Sequence, residues 1–360
     1  MSWCFGVIAD LQYADLPTGT GFSAKDTRYF RDSLSKASAA RLAFASAGCS
    51  AVLQLGDLID GRTVGPPGYS PYAPAGSVSA EQRAAAAAAL AAVLSQLNGG
   101  GAGGGAAALA PSSLPIAHLR GNHENYAGVE ALLPLPPGAA PCAPGSFAYT
   151  FSPRAGWRFV CLDPYEVSLA APAGSAGRAE AERLLRAHNP NLGDLSGASR
   201  CDFFAGLAGP QRRFVPFNGG CGPAQLAWLR GALAAARAAC EKVVVCSHIP
   251  LLPAATRAAA GGADYDCSAE AERFDCVAFD CEDALAALAE HADVVAAVFS
   301  GHDHAGSFGV DGAGIPHVSF QSPLTHDSVS HAVVAVHGDR LEIRGEGAVP
   351  SRELRPPCLA

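Results

Sequence analysis

At 360 residues, with 49% hydrophobic and 16% charged side chains, the chain carries enough apolar content for one large α/β domain or two small ones. A net charge of −8 and the lack of any Lys/Arg-rich block exclude nucleic acid and anionic membrane as expected partners, and no apolar run reaches the roughly 18 residues of a membrane span. The N-terminus lacks the basic region and cleavage site of a signal peptide, and the 12 cysteines show neither CxxC nor zinc spacing, so a soluble, cytoplasmic protein with reduced thiols is expected.

In chain order, "FGVIADLQ" (5–12) is an apolar run that stops on Asp10 and Gln12. A helix is predicted from Asp32 to Ala47, and then "AVLQLGDLID" (51–60) ends on Asp57 and Asp60. A second, alanine-rich helix is predicted from Ala80 to Leu97, followed by the Gly/Ala low-complexity segment 98–111, which reads as a flexible loop. "PIAHLRGNHE" (115–124) delivers Asn122 and His123, and 136–145 reads as a surface loop or lid. "WRFVCLD" (157–163) is a further strand, and a helix is predicted from Pro223 to Ala239. "KVVVCSHIP" (242–250) delivers His248, the stretch 256–281 reads as a second lid or insert loop, and "VVAAVFSGHDH" (294–304) delivers His302 and His304. Within that lid, Asp264 and Asp266 form either a third metal site or a solvated acidic loop. "HAVVAVHGDRLEIRGEG" (331–347) closes the pattern as a hairpin with a Gly-Asp turn.

Five of these segments share one format, a Val/Ile/Leu run that ends in a polar cluster, alternating in places with helices. That pattern predicts strands of an α/β fold buried on both faces, with a shared site at their carboxyl ends. Carboxylates, amide oxygens and neutral imidazoles are the donors that divalent cations take, so Asp10, Gln12, Asp57, Asn122, His248, His302 and His304 are candidate metal ligands. In an extended segment residues two apart share a face, which predicts that Asp10 with Gln12, and His302 with His304, point inward together. Asp57 is the natural bridging anion for two metals, and Gly56, Gly121 and Gly301 permit close backbone approach beside the ligands. An acidic protein that handles an anionic substrate would then draw its positive charge from the metals.

The ordered set Asp-x-Gln, GDxxD, GNHE, strand-His and GHxH resembles that of the calcineurin-like metallophosphoesterases over nearly the whole chain. The resemblance implies two central β-sheets forming a sandwich flanked by helices, in a single domain spanning 1–360. It places Asp10, Gln12, Asp57 and His304 on one metal, and Asp57, Asn122, His248 and His302 on the other. It makes His123 the group that stabilises the transition state or protonates the leaving oxygen, with Asp60 orienting it. Most of the superfamily has His where this chain has Gln12. An amide oxygen there gives a harder, weaker donor set that favours Mn²⁺ over Zn²⁺ or iron. "GVIADLQYAD", "HNPN" (188–191), "FVPFNGGCGPAQLAWL", "KVVVCSHIPLLP" and "RGEGAVPSR" resemble the manganese-dependent branch that acts on ADP-ribose and CDP-alcohols.

That branch implies hydrolysis of the diphosphate bridge in small nucleotidic substrates by a monomer with two divalent ions. Phe217 with Asn218-Gly219-Gly220 reads as a base-stacking element that offers backbone N–H groups to phosphate, or Phe217 as a core aromatic. The family's pattern brings Leu195 and Cys276 to the same pocket. Arg28 and Arg31 fall in a predicted helix start, where a solvated face is the simpler reading than a contact to the distal phosphate. The dimetal set alone also fits a phosphomonoesterase or a cyclic-nucleotide phosphodiesterase. A scaffold protein that has lost its metals is disfavoured, because every ligand position is filled by a residue able to bind.

Overall fold

The computed structural model describes residues 2–20, 26–64, 78–99, 114–192, 203–256 and 274–359. The Gly/Ala segment beyond Gly99, Leu195, Asp264 and Asp266 lie outside them, as do 257–273 of the expected second lid.

The apolar runs form two facing sheets. In the first, β1 (Trp3–Ile8), β2 (Val52–Gln54) and β3 (Ile116–His118) run parallel. Beyond β1 the chain returns antiparallel as β10 (Ser330–Val336), β11 (Leu341–Gly347) and β12 (Arg352–Leu354), giving the order β12-β11-β10-β1-β2-β3. The closing hairpin is therefore β10 and β11, paired from Ser330↔Gly347 to Val336↔Leu341. In the second sheet β5 (Trp157–Cys161), β6 (Lys242–Ser247), β7 (Val295–Ser300) and β9 (Pro316–Ser319) run parallel. Antiparallel β8 (Ser307–Val310) and β4 (Tyr149–Arg154) flank them. The 136–145 segment is not wholly a loop, because Ala140–Pro141 pairs with Tyr149 and Thr150 as the edge of this sheet.

Alternation decides what each face buries. Phe5 and Val7 of β1 and Leu53 of β2 face Phe159, Val244 and Phe299 of the second sheet, with the Phe5 and Phe159 rings 5.1 Å apart. The opposite faces are apolar too. Ile8, Val52 and Ile116 pack against α1 (Ser33–Ser46) and α2 (Ala80–Asn98), and Val243, Val245 and Val298 against α5 (Gly222–Ala238) and α6 (Cys281–Ala289). Burial on both sides is why these strands read as continuous apolar runs, each large side chain contributing about 1.5–3 kcal/mol. The layers are helix, sheet, sheet, helix, the sandwich that the resemblance implied. α2 starts at Ala80 because Ser79 and Gln82 close a capping box, with Gln82 N–H on Ser79 Oγ at 3.1 Å and Ser79 N–H on Gln82 Oε1 at 2.7 Å. Among the described residues, no helix is long and apolar enough to cross a membrane.

Candidate metal centre

The polar clusters follow the carboxyl ends of β1, β2, β3, β6 and β7 and meet in one buried place. Asp10, Gln12 and Asp57 are at most 1% exposed, His248 is fully buried, and Asn122 is 5% exposed. His248 Nε2 lies 3.4 Å from Asp57 Oδ2 and 4.0 Å from Asp10 Oδ1, and His304 Nε2 lies 3.7 Å from Asp10 Oδ1. The ligand atoms of Asp57, His248 and His302 fall within 4.8 Å of one another.

Strand alternation is not what turns the paired candidate ligands inward. β1 ends at Ile8, and Asp10, Gln12, Asp57 and His302 have φ values of 49°, 45°, 55° and 66°. Left-handed backbone, not an extended segment, aims them. Among the described residues only Cys240 joins them as a non-glycine residue in that region. The three glycines do make room: an added Cβ would lie 1.9 Å from Asp57 Oδ1 at Gly121, 2.4 Å from Asp10 Oδ2 at Gly301, and 2.3 Å from His248 Nδ1 at Gly56. The carboxylates are held by backbone. His302 N–H donates to Asp10 at 3.0 Å, His123 N–H donates to Asp57 Oδ1 at 3.0 Å, and Glu124 accepts from the N–H groups of Asp57, Leu58, Ile59 and Gly121.

The hydrogen bonds also set which imidazole nitrogen faces the centre. His248 Nδ1–H donates to Leu55 O at 2.6 Å, which turns Nε2 toward Asp57 and Asp10, where it is buried without a hydrogen-bond partner. His123 Nδ1 accepts the Gly61 N–H at 2.5 Å, so its proton sits on Nε2, 3.7 Å from Asp57 Oδ2. The direct hydrogen bond on His123 comes from Gly61 backbone. Asp60 caps the turn that supplies it, its Oδ1 accepting from Arg62 N–H at 2.8 Å, so any orienting by Asp60 runs through that turn.

Electrostatics mark the centre as short of positive charge. Burial pushes the Asp10 carboxyl well above the usual carboxylate range, with His248 opposing and Asp57 adding to the rise. Burial likewise raises Glu124, reinforced by Asp57. At Asp57 burial also works upward, but the His123 and His248 imidazoles outweigh it and hold the carboxyl low. At His248 the burial penalty is overcome by Asp57 and Asp10, and its pKa rises to about 9. Burial, helped by His248, lowers His302 to about 3, and burial with Arg28 lowers His304 far below the usual imidazole range. Clustered buried carboxylates, neutral imidazoles and a partnerless His248 Nε2 between two of those carboxylates fit divalent cations, which would satisfy both anions without a proton.

Gln12 is at the predicted place but in a specific orientation. Its Nε2 donates to Asp57 Oδ2 at 3.0 Å and meets His304 Nε2 at 2.9 Å, while its Oε1 accepts from Arg28 Nη1 at 3.4 Å. A half-turn of the amide exchanges the two atoms, and only the turned form offers a metal an oxygen. Arg28 is the residue that sequence reading undervalued. It lies in a two-residue strand, Thr27–Arg28, paired with Gly19–Thr20, and not in a helix start, and its Nη1 is also 3.6 Å from Asp60 Oδ2. Arg31 behaves as expected of a solvated face and pairs with Asp15 at the surface.

Phe217 is half-buried with its ring 5.8 Å from that of His302, at the edge of the centre. Asn218 is engaged inside the protein. Its Nδ2 donates to the carbonyls of Arg213 and Asp275, its Oδ1 meets His302 Nε2 at 2.8 Å, and its backbone N–H is taken by Val215 O. The expected cradle of free backbone N–H groups is therefore absent at Asn218, whose contacts go to holding His302. Cys276 is half-buried and follows directly on Asp275.

The calcineurin-like phosphoesterase family model matches residues 5–306. The chain is 31% identical to the manganese-dependent ADP-ribose/CDP-alcohol diphosphatase of Bos taurus, over 97% of this chain and 92% of that one. The proteins of that name from Homo sapiens and Oryza sativa are also 31% identical, over 97% of this chain and 91% and 93% of theirs. Among solved structures, a dimetal phosphatase from Danio rerio superposes with a TM-score of 0.79 at 28% identity, covering 98% of this chain and 99% of that one.

Proposed function

The chain belongs to the calcineurin-like phosphoesterase family, and from that premise we propose that it hydrolyses the diphosphate bridge of small nucleotides with two Mn²⁺ ions. ADP-ribose would give AMP and ribose 5-phosphate, and CDP-alcohols would give CMP and a phosphoalcohol. The observation that carries the metal reading is His248 Nε2, buried and unpartnered between Asp57 and Asp10. What supports the substrate class is the similarity to diphosphatases of that name across nearly the full length of both chains.

In this reading Asp10, Gln12, Asp57 and His304 hold one ion, and Asp57, Asn122, His248 and His302 the other. The ions would neutralise phosphate oxygens and make water a competent nucleophile at neutral pH. The protein does the rest. Gly56, Gly121 and Gly301 let the ligand side chains approach neighbouring backbone, and the burial of the centre excludes bulk water. His123 holds its proton at Nε2, available to the bridging oxygen as the P–O bond breaks. Arg28 faces Gln12 and Asp60 with a charge suited to the substrate's phosphates. Phe217, Leu195 and Cys276 are the proposed nucleoside contacts. Apart from Cys276, the described cysteines are free thiols, which suits a reducing, cytoplasmic setting.

The test is phosphohydrolysis by metal-stripped protein resupplied with Mn²⁺, Mg²⁺ or Zn²⁺, on ADP-ribose, CDP-choline, AMP and a cyclic nucleotide in parallel. Manganese-dependent release of AMP or CMP, with AMP itself untouched, is expected. Turnover of AMP or the cyclic nucleotide, with both diphosphates left intact, would move the chain to another branch of the family.

A further inference from the structure

We propose that Tyr165 and Asn218 are positioning residues that present Asn122 and His302 to the second metal; the proposal rests on the two-metal reading above. Asn218 is 1% exposed, and its Nδ2 donates to Arg213 O at 2.9 Å and Asp275 O at 2.8 Å. Two carbonyl acceptors fix the amide so that Oδ1 is the atom facing His302 Nε2, 2.8 Å away. An amide oxygen can only accept, so His302 carries its proton on Nε2 and its lone pair on Nδ1. Asn218 thereby selects the tautomer that can bind a cation.

Tyr165 does the corresponding work on Asn122. Its hydroxyl, on a side chain 1% exposed, donates to Asn122 Oδ1 at 3.1 Å and leaves that oxygen a second lone pair. Tyr165 is itself fixed by the turn that follows β5. Its N–H donates to Asp163 Oδ1 at 3.0 Å, and Asp163 forms a two-pronged pair with Arg120. Arg120 also donates to Asn125 Oδ1 at 3.0 Å, which ties the turn to α3 (Asn122–Ala127), the helix that carries Asn122. From the other side Gln225 of α5 clasps Asp163, accepting from its N–H at 2.8 Å and donating to its carbonyl at 3.0 Å. With Leu55 O on His248, each neutral ligand of the second site is thus oriented by its own protein partner. Outer partners of this kind commonly govern metal affinity.

The test is Mn²⁺ titration of metal-stripped wild type, Tyr165→Phe and Asn218→Ala, followed by calorimetry and by electron paramagnetic resonance. Wild type should take up two ions and show the exchange-coupled spectrum of a Mn pair. Each variant should keep one site at wild-type affinity and weaken the other roughly 10–100-fold, so that isolated Mn²⁺ replaces the coupled pair at levels that fill both wild-type sites. The retained first site reports that the variant is folded. Variants that load both ions like wild type, or that lose both sites equally, overturn the positioning role. Wild type that takes up fewer than two ions overturns the two-metal reading, and the proposal with it.

Discussion

Left-handed backbone at Asp10, Gln12, Asp57 and His302 costs on the order of 1–3 kcal/mol per residue, and persists only where the surroundings over-determine it. Here they do: Asp10 N–H bonds Gly56 O at 3.1 Å, Gln12 N–H bonds Asp57 O at 2.9 Å, and His302 N–H sits on the Asp10 carboxylate. Among the described residues Arg28 is the one cation that touches both Gln12 and Asp60, and its side chain is only 11% exposed. A charge-assisted hydrogen bond to a phosphate contributes about 1.5–3 kcal/mol, so Arg28→Ala should raise KM for a nucleotide diphosphate roughly 10–100-fold and alter kcat much less. Steady-state kinetics check this; an unchanged KM with weaker Mn²⁺ binding would mean that Arg28 acts through Gln12. The side chains that gather at the centre were legible in the sequence as candidate ligands, because donor chemistry is a property of residue type. Their backbone geometry was not, since nothing in "ADLQ" distinguishes an extended chain from two left-handed turns. Arg28 was missed because its neighbours resemble a helix start, whereas the two-residue pairing with Gly19–Thr20 that aims it is a contact between segments.

At the scale of elements, apolar runs of six or so residues identified the central strands well, and alanine-rich stretches placed α1, α2 and α5 within a residue or two. Short edge pairings such as Ala140–Pro141 have no periodicity to read and passed as loop. What joins β2 to β3 at the centre is Glu124 in the first turn of α3, which accepts from four backbone N–H groups at distances between 2.6 and 3.3 Å. It reads in the sequence only as the fourth letter of GNHE. Glu124→Gln replaces one acceptor oxygen with a donor and leaves buried N–H groups facing it, at a cost of about 1–3 kcal/mol for each unsatisfied group. Thermal denaturation of the metal-free variant should show Tm lower by several degrees, with Mn²⁺ affinity reduced because Asp57 and Gly121 lose a shared anchor. A variant that melts with wild type would show that the four contacts are replaceable.

Across the whole molecule, the sandwich buries histidines outside the candidate ligand set and holds them neutral. His118 on β3 is 4% exposed, bonded to Gln54 at 3.3 Å, and burial lowers its pKa to about 4. Burial also lowers His317 on β9, opposed by Asp311, and His331 on β10, opposed by Glu346. A group whose folded pKa lies below its unfolded value is protonated first in the unfolded chain, so it contributes stability above pH 6.5 that is lost as pH falls toward the folded value. For His118 the window runs from 6.5 down to about 4, and the loss amounts to roughly 3 kcal/mol at most. Asp10 and Glu124, raised by burial, act in the opposite sense and gain from acid, so the net slope of the wild type mixes both signs. Comparing His118→Leu with wild type isolates one contribution. The variant should lose some stability at neutral pH, because Gln54 loses its partner, but its Tm should fall less steeply between pH 6.5 and 4. Parallel Tm curves for the two proteins across that range would show that His118 is protonated in the folded state and that the strand carrying it opens to water.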